Sequence, residues 1–63
     1  MERFGKNVRR IRLEKGFTQE GLGEGAGISQ VQIARIESGK MNTSISTVVA
    51  IAKGLGVKEG ELF

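Results

Sequence analysis

Apolar positions along this chain recur with a helical period and never alternate in the manner of a strand. Between Glu2 and Lys15, Phe4, Val8 and Ile11 fall at i, i+4 and i+7, one stripe of a first helix. Arg12 and Lys15 flank that stripe, and Leu13 projects from nearly the opposite side, exposed unless another segment covers it. A second, shorter helix is predicted after Thr18, with Leu22 and Ala26 facing inward. A third follows Ser29. Its Ile33, Ile36 and Glu37 project to one side, its Val31, Ala34, Arg35 and Ser38 to the other, and Gln30 sits near the N-terminal rim. A fourth runs from Ile45 to about Gly54 and is expected to bury Ile45, Val48, Val49 and either Ile51 or Ala52. Val57 points inward, and Glu59 to Phe63 is expected to make a short closing turn, counted as the fifth helix, with Leu62 or Phe63 on the core. The expected fold is all-α, five short helices in one domain spanning residues 1–63.

The helix boundaries carry their own chemistry. Gly16, Gly27, Gly39 and Gly56 each stand where a helix should stop, the position that favours a left-handed residue. Thr18 is a good N-cap for helix two, but Gly21 occupies the place where a capping box needs Glu or Gln. Ser29 with Gln32 makes a complete Ser-x-x-Gln box, so helix three has a well-defined start, and Ser44 caps helix four. Gly21, Gly23 and Gly25 make helix two intrinsically weak, since glycine costs about 0.8–1 kcal/mol relative to alanine inside a helix. Packing has to hold it.

Composition narrows the function classes. With 63 residues the core is small, because a chain of this size buries only about 60% of its unfolded surface. The absence of cysteine and histidine removes disulfides, thiol catalysis and the usual zinc ligand sets. No paired carboxylates share a face and no phosphate-cradling loop is present, so neither a catalytic nor a metal site is expected, nor a cofactor. The apolar run around Val48 to Ala52 is far shorter than the roughly 20 residues of a membrane span, and the N-terminus is charged. A cytoplasmic protein is expected. The net charge of +3 is unevenly spread: Arg3, Lys6, Arg9, Arg10, Arg12 and Lys15 face only Glu2 and Glu14 in the first segment, whereas the remainder is slightly acidic. Basic charge gathered in one segment suits a polyanion, although a solvated helix face accounts for it equally well on charge alone.

Two helices joined by a glycine turn, the second with a mixed polar surface, form the arrangement that places one helix in the major groove of DNA. The groove offers donors, acceptors and thymine methyl groups. Gln pairs with adenine through two hydrogen bonds, Arg pairs likewise with guanine, and a small apolar side chain meets a methyl. Gln30, Val31 and Arg35 lie where these roles would be filled. Taken singly, each is an ordinary surface residue; the cap, the turn and their shared face give them meaning together.

The chain from Phe4 to Phe63 resembles the Cro/C1-type (XRE) helix-turn-helix family, the fold of phage repressor DNA-binding domains. The resemblance rests on Arg12, Gly16-Phe17-Thr18-Gln19-Glu20, Leu22, Gly27-Ile28-Ser29, Ile33, Ile36-Glu37, Gly39-Lys40, Leu55-Gly56-Val57 and Leu62. It implies a lambda-repressor-like domain and a sequence-specific transcriptional regulator, a repressor in the first instance, docking as a homodimer on a palindromic double-stranded operator. Matched position by position, it implies base reading by Gln30, Val31 and Arg35, with Gln32 a weaker candidate at the flank. It assigns Gln19 to phosphate binding and to bracing the first residue of the reading helix, and Thr18, Ser38, Lys40 and Asn42 to backbone contacts that set register. Local roles as cap or solvated loop are open to the last four as well. Arg12 and Glu37 match an ion pair joining helices one and three. The chain departs from the pattern at Gly21, Gly23 and Gly25, where helix formers are usual, and lacks the proline often found near Thr43.

Two other readings are open at this point. A small antitoxin or restriction-modification controller uses the same fold on DNA and also engages a protein partner; exposed Leu13 and the Leu62-Phe63 end are the apolar surfaces available for one. A protein-interaction module without DNA binding is the second, and the reading side chains and the basic first helix count against it.

Overall fold

A computed structural model describes all residues, Met1–Phe63, as helices and connecting turns without strands. In chain order they are α1 (Glu2–Glu14), α2 (Gln19–Ala26), α3 (Gln30–Ser38) and α4 (Ile45–Leu55), followed by a single 3₁₀ turn over Glu59–Leu62. The expected fifth helix is therefore corrected to that turn. The turn closes through i→i+3 bonds, Glu61 N–H to Lys58 C=O at 3.0 Å and Phe63 N–H to Gly60 C=O at 3.3 Å.

The stops and starts follow the local chemistry. Gly16, Gly27, Gly39 and Gly56 all have positive φ, between 72° and 78°. The Thr18 hydroxyl accepts from the Gly21 amide at 2.9 Å, and Ser44 caps α4 through the Thr47 amide at 3.4 Å. At α3 both halves of the box form: Ser29 Oγ accepts from the Gln32 amide at 3.2 Å, and Gln32 Oε1 accepts from the Ser29 amide at 3.3 Å.

Every α-helix contributes to one apolar cluster: Phe4, Val8 and Ile11 from α1, Leu22 from α2, Ile33 and Ile36 from α3, and Val48, Ile51, Ala52 and Leu55 from α4, closed by Leu62. Phe17, Ile28, Met41 and Val57 pack at its edge. The expected burial of Ile45 is corrected: it is 79% exposed, and Val49 is half-buried, while both Ile51 and Ala52 are inside. α2 meets α4 near its far end, where a Cβ on Gly54 would lie 3.2 Å from the side chains of Ala26 and Leu22, so the first turn of α4 extends past that cover. Leu62 is fully buried, and Phe63, outside the core, lays its ring 5.1 Å from that of Phe4. The Asn7 amide holds this end by donating to the Leu62 carbonyl at 3.1 Å.

α1 and α3 approach closely because residue 5 is glycine: any Cβ there would run into the Ile36 carbonyl. This crossing brings Arg12 and Glu37 together and aims the opposite face of α3 outward.

A candidate nucleic-acid interface

α3 divides cleanly. Ile33, Ile36 and Glu37 are buried, whereas Gln30, Val31, Gln32, Arg35 and Ser38 are exposed. Val31 is notable for its type, since an aliphatic side chain 57% exposed beside Gln30 and Arg35 serves no packing purpose in this chain. Arg35 makes no ion pair, the chain's two salt bridges being Arg10–Glu14 and Arg12–Glu37. Its guanidinium keeps its full set of donors available to a ligand.

Behind that face runs a continuous line of hydrogen bonds. Arg12 Nε stands 2.6 Å from Glu37 Oε2, and Nη2 donates to Oε1 at 3.1 Å, a two-pronged pair between residues that are both less than a tenth exposed. The third guanidinium nitrogen, Nη1, donates to the Phe17 carbonyl at 2.8 Å, which ties the loop before α2 to α1 and α3 together. Gln19 Nε2 then donates to Glu37 Oε1 at 3.2 Å, and Gln19 Oε1 accepts from Gln30 Nε2 at 2.7 Å. Four residues from three helices thus connect the buried ion pair to the first residue of α3. The Glu37–Gln19 link was not legible in the sequence. It needs the head of α2 packed alongside α3, which no local pattern encodes.

The remaining candidates divide by what already occupies them. Gln32 has its Oε1 taken by the cap, with the Ser29 hydroxyl also 3.4 Å away, so it stands at the α3 entrance as a structural residue first. The Thr18 hydroxyl caps α2. Ser38 donates from Oγ to the Arg35 carbonyl at 2.6 Å and accepts from the Lys40 amide at 3.4 Å, closing the end of α3. Lys40 and Asn42 are exposed on the loop that follows. The first turn of α2, with Thr18 and Gln19 at its head, offers amides and a positive helix end beside Gln30.

Away from this face, Lys6, Arg9, Arg10, Leu13 and Glu14 line a shallow concavity on the outside of α1, with Leu13 55% exposed. Of the apolar surfaces anticipated for a protein partner, Leu13 and Phe63 are on the outside and Leu62 is not. Ile45 is an exposed apolar residue that periodicity had placed inside. No helix is long and apolar enough to cross a membrane.

This geometry has close counterparts. The chain is 40% identical over 58 residues to an uncharacterized HTH-type transcriptional regulator of Sinorhizobium fredii, covering 92% of this chain and 75% of that protein. It is 39% identical over 54 residues to the immunity repressor protein of Bacillus phage phi105, a match spanning 86% of this chain and 38% of the repressor. Among solved structures it superposes on the restriction-modification controller protein C.AhdI from Aeromonas hydrophila with a TM-score of 0.96 at 31% identity, covering 98% of this chain and 94% of the controller. The Helix-turn-helix family model matches residues 8–62. With α2, the Gly27 turn and α3 arranged as described, the chain belongs to the Cro/C1-type helix-turn-helix family.

Proposed function

We propose that this chain is a sequence-specific double-stranded DNA-binding transcriptional regulator that acts as a repressor, with α3 in the major groove. The observation that carries the reading is the outward face of α3, where Gln30, Val31 and Arg35 stand exposed and unburdened by core contacts. Their chemistry suits adenine, a thymine methyl and guanine respectively. Thr18, Gln19, Ser38, Lys40 and Asn42 flank that face and contact phosphates, fixing register without reading sequence. The basic outer surface of α1 adds long-range attraction to the polyanion. Binding is as a homodimer on a palindromic operator, half-sites about one helical turn apart, without cofactor, metal or enzymatic step, in the cytoplasm. All 63 residues act as one domain.

A second reading, control of a restriction-modification module with a protein partner in addition to DNA, draws support from the fit to a controller protein over nearly the whole of both chains. Exposed Leu13 among basic residues is the surface such a partner would use. Selection of bound duplexes from a random pool tests the main reading. A palindromic consensus is expected; an unenriched pool would overturn sequence-specific recognition, and a single unrepeated motif would overturn dimeric docking.

A further inference from the structure

We propose that Glu37, though buried in its ion pair, determines which chemical edge Gln30 turns outward and so makes residue 30 a reader of adenine rather than guanine. The inference rests on the proposed docking of α3 in the major groove and adds the origin of its specificity at one base pair.

A glutamine amide is nearly symmetric in shape, and rotation by half a turn exchanges its oxygen and nitrogen. Nothing in the backbone around Gln30 chooses between the two settings, because its side chain is exposed and Gln19 is its hydrogen-bond partner. The choice is imposed from inside the protein. A carboxylate accepts hydrogen bonds and cannot donate. The amide group of Gln19 that faces Glu37 Oε1, 3.2 Å away, must therefore be its nitrogen. Glu37 cannot turn aside, because Arg12 grips both its oxygens, at 2.6 Å and 3.1 Å. With its nitrogen committed inward, Gln19 presents Oε1 to Gln30, and an oxygen there demands the Gln30 nitrogen, which lies 2.7 Å away.

Gln30 thus gives one amide hydrogen to Gln19 and retains the other hydrogen together with Oε1. One donor beside one acceptor complements the N7 acceptor and N6 donor of adenine. In the reversed setting Oε1 would face residue 19, and both hydrogens would point away, a pair of donors suited to the N7 and O6 acceptors of guanine. Glu37 acts here as a positioning residue: it touches no base, and its effect passes through Gln19.

Substitutions at Gln19 separate this role from folding, because they keep Arg12, Glu37 and the two direct bonds between them and lie outside the apolar core. The operator position read by residue 30 is first located as the one whose preference disappears in Gln30→Ala. Preferences at every position are then measured for the wild type, Gln19→Ala and Gln19→Lys, with thermal unfolding confirming that each variant is folded. Gln19→Ala frees Gln30 and is expected to reduce the adenine preference at that position at least about fivefold, with preferences elsewhere retained. Gln19→Lys keeps a donor toward Glu37 and puts a second donor toward Gln30, so Gln30 should reverse and favour guanine there. In the free protein, ¹⁵N relaxation of the Gln30 side-chain amide should show greater mobility in Gln19→Ala than in the wild type. Adenine preference unchanged in folded Gln19→Ala and Gln19→Lys would overturn the proposal while leaving base reading by Gln30 intact. If Gln30→Ala alters no position, base reading by residue 30 itself fails, and the proposal with it.

Discussion

Ile28 turns back on Gly23: its amide donates to the Gly23 carbonyl at 2.8 Å, and its own carbonyl stands 2.5 Å from where a Cβ on residue 23 would be. The helix-turn-helix is closed at this point, between the last turn of α2 and the cap of α3. Glycine at 23 admits the Ile28 carbonyl at a distance no side chain would allow. The glycines that make α2 a poor helix in isolation are thus of different kinds. A Cβ at Gly25 would meet only ordinary contact, 3.6 Å from Gly54 on α4.

Opposite outcomes follow for two substitutions of the same chemistry. Gly25→Ala should raise stability by about 0.5–1 kcal/mol, since its helical backbone suits alanine and the neighbouring space accepts a methyl group. Gly23→Ala should lower stability, because the turn must shift to relieve the contact with Ile28. Urea titrations followed by circular dichroism measure both; equal stabilisation at the two sites would show that the Gly23–Ile28 approach is looser than described.

The Arg12–Glu37 pair supports the fold in a way that depends on both partners. Removing one by Glu37→Ala leaves a buried guanidinium uncompensated and should cost about 3–5 kcal/mol. A chain of this length has a total stability on the order of 3–9 kcal/mol, so the loss takes a third of it or more and the denaturation midpoint should fall steeply. Replacing both residues with methionine should be less damaging than the sum of Arg12→Met and Glu37→Met made singly, because no lone charge remains. Chemical denaturation of the three variants tests this, and strict additivity would argue against coupling between the two side chains.

Much of this architecture was legible in the sequence because helix ends announce themselves locally. Thr18, Ser29 and Ser44 use their hydroxyls within three residues of themselves, and each terminating glycine needs only its own φ. The stripe of Phe4, Val8 and Ile11 is likewise a property of one helix. What the sequence concealed depends on partners distant in the chain. Ile45 matches the apolar face of α4 yet is exposed, because α2 covers the other end of that helix. Gly5 carries no pattern of its own in the sequence, yet it is where α1 packs directly against the backbone of α3. Among site residues, the outward setting of Gln30, Val31 and Arg35 followed from helical periodicity, whereas the bond from Gln19 to Glu37 required the packed fold.

Backbone contacts should be read in the salt dependence. On the proposed docking, Lys40 neutralises a phosphate and contacts no base, so Lys40→Ala should weaken binding to selected and scrambled duplexes alike. It should also reduce the slope of log affinity against log salt by about one unit. Titrations at several salt concentrations provide the measurement, and an unchanged slope would remove Lys40 from the phosphate contacts.

The central claim, that the outward face of α3 reads bases, is tested most directly by the ratio of affinities for the selected operator and a scrambled duplex in wild type and Arg35→Ala. A two-pronged arginine–guanine contact is worth about 1–3 kcal/mol of discrimination. Arg35→Ala is expected to lower the ratio by roughly 5- to 150-fold and to relax the preference at one base pair of each half-site. Equal loss on the two duplexes, with the ratio preserved, would contradict the claim.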